Sequence, residues 1–580
     1  MKKIITPIVI ATIFCAAIQF SNAQTNTFPS TGSAGIGTLS PNASALVDVV
    51  STSKGILIPR MTKTQRDAIV SPATALLIYQ TNSTPGFYYY DGSAWQAVSV
   101  KGPNKQLSNL QTTSINMALN PGVDNSLDIG STATSWKDFY VDGKIIIDGI
   151  TFIDNKGSGN TMVGPYAGLS NTSGSYSVYV GNGAGYSNTT GGGNVMVGSQ
   201  AGESNTTGSF NTFSGLQSGQ FNTTGASNSF YGYQSGQKNT TGYNNTFLGN
   251  SSGINNTTGY LNTAVGDQAF LLNTTGYGNT AVGIQSQFKS TTAVDNTSVG
   301  AYALGAYTVA HTGSENTVVG YASMYHNVSG THNQGLGTHT LWNNLDGYDN
   351  TAIGFYSMYN NTSGWANNAM GKGSLYANTN GNHNTAIGDQ AMYNNTIGFV
   401  NVALGSSALY SNTTGDHNTA TGNESMYYNT TGYYNAAYGG GSLQSNITGY
   451  QNTAIGGLAM LWNTTGYNNT AVGYQALGSN TTGDHNTATG LNALLFNTTG
   501  GYNTAIGHAA LQENTTGATN VALGNSVLFN NTIGSDNTGG GHEALYSNTI
   551  GSKNTAYGET SLRNNTTGIN NTCIGAEAGY

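Results

Sequence analysis

The sequence predicts an all-β protein: a parallel β-solenoid, or β-roll, of 17-residue coils with a small β-rich region before it. Three observations predict it. First, an asparagine followed four residues later by a glycine recurs at Asn194/Gly198, Asn211/Gly215, Asn228/Gly232, Asn245/Gly249 and Asn262/Gly266, a step of 17 each time. Second, the fifth position of the unit is glycine in all 25 units from Gly164 to Gly575, and the first is asparagine in 24, with Ser177 the exception. Third, glycine is 82 of 580 residues and charged residues are 7%, yet aromatics reach 10%. A disordered chain needs high charge and few aromatics, so this Gly/Asn/Thr-rich polymer is an ordered one.

Taken in order, residues 1–23 read as a signal peptide: Lys2 and Lys3 precede the mostly apolar run Ile4 to Ala17, and Ser21-Asn22-Ala23 is a small-residue cleavage site. The expected location is secreted or on the outer cell surface. No later segment approaches the roughly 20 apolar residues of a spanning helix, so no membrane span is expected in the mature chain. Cys15 lacks the flanks of a lipid-anchor signal, which leaves Cys573 as the one mature cysteine and no intrachain disulfide. Without Lys2 and Lys3 there are 14 basic against 24 acidic residues, a net charge of −10 with no basic stripe. Nucleic acid, whose binding depends on phosphate neutralisation, is excluded as a partner.

Residues 24–105 form a β-rich module. Ala75 to Thr81 and Phe87 to Tyr90 flank Asn82-Ser83-Thr84-Pro85-Gly86, which reads as a hairpin with a five-residue turn. Before it, Thr64-Gln65-Arg66-Asp67 has the spacing of a helix start. Residues 106–159 are a connector with short strands expected at Ser126 to Gly130, Trp136 to Val141 and Lys144 to Asp148.

Residues 160–580 are the repeat, N-T-A-[VI]-G-x-x-[AS]-[LM]-x-x-N-T-T-G-x-x, shown whole from Asn452 to Asn468. The 17 positions are called ranks below. Glycine and asparagine tolerate positive φ, so Asn452, Asn469 and the rank-5 glycines Gly388, Gly405, Gly422, Gly456 and Gly473 are expected corners, with a second corner at Gly466. The core is expected to take one Val/Ile/Leu at rank 4, one Leu/Met at rank 9, and small residues beside them. So thin a core favours sharing apolar surface between chains, and a homotrimer is expected. In the first six units rank 9 is glycine (Gly168 to Gly253), which predicts a thinner or differently associated segment. A three-residue insertion near Ala306 to Glu315, with Ser290-Thr291-Thr292-Ala293 in place of N-T-T-G, predicts a bulge or kink; the chain stops inside a unit, at Tyr580, without a capping repeat.

Stretches such as Thr453-Ala454-Ile455-Gly456 followed by Ala459, and Thr470-Ala471-Val472-Gly473 followed by Ala476, resemble the head repeats of YadA-like trimeric autotransporter adhesins over about 420 residues. The resemblance implies a trimeric left-handed β-roll with an adhesive role, although the unit is longer than that family's and neither a heptad stalk nor an anchor barrel follows. Gly55 to Thr62, with Gly86 to Gly92 and Trp95, resemble modules of secreted tail-fibre-like surface proteins of Bacteroidetes-type bacteria.

A tandem array offers the same side chains many times, whereas catalysis needs unlike groups brought together once. No enzyme and no cofactor are expected, and no P-loop, zinc or Ser/His/Asp signature occurs. Asp416-His417 and Asp484-His485 share one turn position and read as exposed turn residues rather than metal or acid/base sites. Tyr325, Tyr359, Tyr376, Tyr393, Tyr410 and Tyr427 all hold rank 10 and predict a stripe, a candidate glycan contact unless it packs on itself or another chain. The leading function is an extracellular structural and adhesive fibre that binds host or neighbouring-cell surfaces or glycans by repeated weak contacts. A phage-tail-like receptor-binding fibre and an ice-binding solenoid are the alternatives.

Overall fold

Each 17-residue unit forms one coil and contributes one three-residue strand, at ranks 2 to 4, to a single parallel ladder. In the computed structural model, which describes residues 31–98, 145–147, 150–154, 156–305 and 309–580, the ladder runs from β9 (Thr161–Val163) to β33 (Thr572–Ile574), one strand per unit. Neighbours pair at a step of 17, as Thr453↔Thr470 and Ala454↔Ala471 do. The signal peptide and the strands expected at Ser126 to Gly130 and Trp136 to Val141 lie outside the described residues. Met1–Trp136 and Lys137–Tyr580 are two separate units.

Outside the strand, turns carry the coil-to-coil bonds that satisfy the backbone. The rank-7 N–H of Leu458 donates to Gly440 O at 2.9 Å, the rank-9 N–H of Met460 to Ala476 O at 3.0 Å, and the rank-13 N–H of Thr464 to Thr481 O at 2.9 Å. Leu458, Met460 and Asn468 all have φ between 54° and 58°, so ranks 7, 9 and 17 make bends that the repeat motif did not disclose. Of the two expected corners, rank 5 is one: Gly456 has φ +132° and a Cβ there would sit 2.5 Å from Gly473 O. Gly466 is not a positive-φ corner. Glycine is required there because a Cβ would overlap Asn463 Oδ1 and stand 2.5 Å from Gly483 O.

Two asparagine ladders line the interior. At rank 12, Asn463 Nδ2 donates to Asn446 Oδ1 at 2.8 Å and to Gly466 O at 3.0 Å. At rank 1, Asn452 Nδ2 donates to Asn435 Oδ1 at 3.1 Å and to the same Gly466 O at 2.8 Å, while the Asn469 N–H donates to Asn452 Oδ1 at 3.0 Å. Asn452 and Asn469 are thus internal braces rather than corners, fully buried and hydrogen-bonded in every coil direction.

With rank 1 inward, alternation along the strand turns rank 3 inward and ranks 2 and 4 outward. The expected core is corrected accordingly: Ala454 is buried and Ile455 is 43% exposed. The interior is closed by ranks 3, 8 and 9, as by Ala454, Ala459 and Met460. The first six coils are not thinner. Where rank 9 is glycine, rank 3 is Met162, Tyr179, Met196, Phe213, Phe230 or Phe247, all buried. A Cβ on Gly236 would meet the Phe230 ring at 2.5 Å, and Phe213, Phe230 and Phe247 stack at 4.9 Å. Ala264 with Phe270 reverses the arrangement, and most later coils keep Ala at rank 3 with Leu or Met at rank 9; the departures are Gln287 at rank 9, Ser298, Val318, Gly335 and Gly539 at rank 3, and Cys573 with Gly579 in the last coil.

At the insertion, β17 (Thr297–Val299) still pairs with β18 (Thr317–Val319), so the ladder crosses it without a break. The extra residues are absorbed between Leu304 and His311. Ser290 and His311 replace the rank-12 asparagine in these two coils, and Ser290, being short, leaves room for buried Ala293 in place of the rank-15 glycine. His311 is fully buried, and its Nε2 accepts from Asn327 Nδ2 at 2.9 Å, the amide orientation being set by Asn344 Nδ2, which donates to Asn327 Oδ1 at 2.9 Å. Burial pushes its pKa down to about 4.

Before the ladder, β7 (Ile145–Ile147) and β8 (Ile150–Asp154) form an antiparallel hairpin whose second strand pairs with β9. In the N-terminal unit, β1 (Ala34–Ile36) pairs in parallel with β2 (Val47–Val49). A four-stranded sheet follows, in order β3 (Arg60–Met61), β4 (Leu77–Gln80), β5 (Gly86–Tyr90) and β6 (Trp95–Ala97), and contains the expected hairpin as β4 and β5. The helix α1 spans Lys63–Asp67 and is capped by Thr62, not Thr64: Thr62 is extended, and Gln65 Oε1 accepts its N–H at 2.9 Å in a reciprocal box.

Replacing Gly388, Gly405 and Gly422 together with valine should lower the melting temperature and shorten the fibre seen by electron microscopy, since β-branched residues resist positive φ. Phe230→Ala alone should cost about 3–5 kcal/mol, whereas Phe230→Ala with Gly236→Leu should recover most of it in a denaturant melt, because Leu375 already adopts φ +51° at that rank. His311 has a folded pKa below its unfolded value, so stability is lost as pH falls from about 6.5 to about 4, by about 3 kcal/mol in total. His311→Asn should remove that component from the pH dependence of melting.

Candidate functional site

Ranks 1, 3, 8, 9, 12 and 15 face inward, so whatever this array recognises must meet the outward ranks. The rank-10 stripe is continuous. Ring centroids are 5.2 Å apart for Tyr359–Tyr376, 4.7 Å for Tyr376–Tyr393, 5.3 Å for Tyr393–Tyr410 and 4.9 Å for Tyr410–Tyr427, all face to face. Trp342, which the sequence reading did not name, fills the gap between Tyr325 and Tyr359, at 4.7 and 6.0 Å. All six tyrosines are half-buried. Their ring faces cover one another, so a sugar ring cannot stack on them broadside; edges and phenol groups are what the stripe presents. Burial first, then the neighbouring phenols, raise the pKa of Tyr359, Tyr393 and Tyr427.

Further stacks stand at rank 16, in Tyr243–Tyr260–Tyr277 and Tyr433–Tyr450–Tyr467, at 4.7 to 4.9 Å. The signal that could have found them is the same one that found rank 10, a residue type repeated every 17. Around Trp342 the rings of Tyr321, His339, Tyr356 and Tyr359 also meet, His339 edge-on to Trp342 at 4.6 Å.

The strand face is the second outward surface. Rank 4 holds Leu248, Val299, Ile387 and Ile455 at 38–48% exposure, in line along the ladder, with threonine at rank 2 beside most of them. The rank-13 threonines are spent otherwise: Thr464 Oγ1 donates to Thr481 O at 2.9 Å and its equivalents do the same.

The Asp-His turns make simple pairs. His417 Nδ1 stands 3.4 Å from Asp416 and His485 Nδ1 3.3 Å from Asp484, and each ring stacks on the tyrosine of the next coil, Tyr434 or Tyr502. Among the described residues no three His, Cys, Asp or Glu side chains converge as a metal site would require. A shallow groove of about 510 Å³ runs beside the insertion between ranks 11 and 13, lined by Val309, His326, Val328, Asn343 and Leu345.

The described part of the N-terminal unit buries few apolar side chains. Between residues 31 and 98, Ile78 is the one buried apolar side chain, accompanied by Arg66 and Gln80. Arg66 Nη1 donates to Gln80 Oε1 at 2.5 Å and the guanidinium lies over Tyr88 at 4.8 Å. Leu39, Leu46, Ile56, Leu57 and Val70 are exposed. Among the described residues no helix is long and apolar enough to cross a membrane.

No curated protein and no solved structure matches the chain. Residues 35–116 match the family model described as a phage tail like trimerisation region, which supports a homotrimer and makes the chain a fibre-like β-solenoid with a tail-fibre-like trimerisation region ahead of it.

Proposed function

We propose that this protein is an extracellular trimeric fibre whose coil stack is an adhesive shaft, binding cell surfaces or glycans by many weak contacts. The observation that carries the reading is the trimerisation-region match at residues 35–116, whose described residues bury only Ile78 among the apolar side chains, ahead of 25 coils that repeat the same outward side chains. Export by the leader at residues 1–23 is part of the same proposal, as is the absence of enzymatic activity. The likeness of the A-[IV]-G core to adhesin head repeats adds support for adhesion. The second reading, a phage-tail-like fibre that recognises a receptor, is favoured by the match itself, and differs in placing recognition at one site rather than along the shaft.

Avidity distinguishes the two. Deleting residues 384–553, ten whole coils, keeps the register and should weaken attachment to target cells at least tenfold if contacts are distributed. Unchanged attachment would support a single receptor site and end the distributed reading. Because few charges line the coils, attachment should also change less than twofold between about 0.05 and 0.5 M salt, where screening disables an electrostatic binder.

A further inference from the structure

We propose that the coil stacks of three chains lie against one another along the strand face, with the rank-4 row as the line of contact and a second and third copy of this chain as the partners. The proposal rests on the trimeric reading above and names the surface that the coils would use.

The row is mostly apolar, and many of its side chains are 38–48% exposed among the described residues. Val265, Val282, Val299, Val319, Leu336 and Ile353 follow one another in consecutive coils on the outer side of one unbroken ladder. At a strand spacing of about 4.8 Å the row runs for roughly 120 Å over the 25 coils. Soluble monomers rarely leave contiguous apolar surface of more than a few hundred Å² in water.

Charge is distributed around that face. Between residues 160 and 580 there are 15 acidic and 5 basic side chains, a net charge of −10, and none of the 20 stands at ranks 2 to 4. They occupy outward ranks such as 6, 7, 10, 11, 16 and 17, at Asp267, Glu424, Glu203, Lys238, Asp484 and Asp536 for example. Copies meeting on those faces would bring like charges together, whereas copies meeting on the strand face keep them apart. None of the nine histidines lies at ranks 2 to 4 either.

A trimerisation region in the same chain starts three copies in parallel, so equivalent coils can meet at equal height and each row faces its own sequence. Apolar residues then meet apolar residues, and the three polar interruptions, Ser214, Thr421 and Thr489, each meet their own kind. Ordered water is the competing occupant, because Thr419 with Thr421, and Thr487 with Thr489, make T-x-T pairs on this face. The bulky Tyr231, Tyr438 and Tyr557 in the same row break the flat lattice that ice would need.

The test places one cysteine on the face and one off it, in the full chain carrying Cys573→Ser. Val472→Cys stands at rank 4 and Thr465→Cys at exposed rank 14. After mild oxidation, a non-reducing gel should show more than half of the Val472→Cys chains as disulfide-linked pairs and at least tenfold fewer for Thr465→Cys, with sedimentation equilibrium giving a trimer for both. A trimer that links through Thr465→Cys and not Val472→Cys overturns the face while leaving the trimeric reading intact; a monomer overturns both. Adding Ile387→Lys, Ile455→Lys and Ile506→Lys to Val472→Cys should reduce linkage at least fivefold with unchanged circular dichroism, and undiminished linkage would overturn the proposal. So would thermal hysteresis of the native chain that these lysines abolish, since it would show the face open to ice.

Discussion

The rank-15 carbonyl is the point on which the coil depends. It accepts one side-chain amide from rank 1 and one from rank 12, as Gly466 O does from Asn452 and Asn463, and each amide also reaches the coil before it. A buried amide left unpaired costs on the order of 1–3 kcal/mol, so each asparagine is stable inside only while its neighbours above and below supply the same partners. That is why a polar interior is compatible with burial here and why these ranks vary so little along the array. Two of the three irregular places show the compensation: Ser177 Oγ accepts the Asn194 N–H at 3.1 Å and His311 Nε2 accepts from Asn327, whereas the buried Ser290 Oγ makes no hydrogen bond and the coil there carries Ala293 at rank 15.

The asparagine braces hold the wall positions constant, which leaves a fixed volume for ranks 3, 8 and 9 to fill. Protein interiors are packed to crystal density, so a large residue on one wall demands a small one opposite. The array meets this mainly in two ways, Met, Tyr or Phe against glycine in its first six coils and alanine against Leu or Met in most later ones, with Ala264 and Phe270 at the changeover. Aromatic rings repeated at one rank then stack, inside the coil at Phe213, Phe230 and Phe247 and outside it at the rank-10 tyrosines. Both stacks follow from the inter-coil spacing rather than from any ligand.

Function is left to surfaces that repetition multiplies. Among the described residues of the coil stack no three metal-ligating side chains gather, and its Asp-His turns are pairs stacked on tyrosine. Its chemistry is that of edges, amides and an apolar row. Such surfaces suit association through many copies of the same weak contact, and in the proposed fibre the trimerisation-region match ahead of the coils supplies the multivalency.

The period, the all-β class, the hairpin of residues 77–90 and the rank-5 glycines were legible in the sequence, because repetition within one chain exposes any position whose backbone admits a single residue type. The inward or outward sense of each rank was not. Ile455 and Met460 are equally apolar, and only the inward anchoring of Asn452 by Gly466 O decides that Ala454 is core and Ile455 surface. The exchange of bulk between ranks 3 and 9 was present in the sequence but had no meaning until the two ranks were seen to share one space. Gly466 illustrates the same limit: its recurrence at rank 15 in every complete coil but that of Ala293 is visible at once, yet its cause is not a local φ but an overlap with Asn463 and with the coil above, and contacts between residues 17 apart exist only once the coils are stacked.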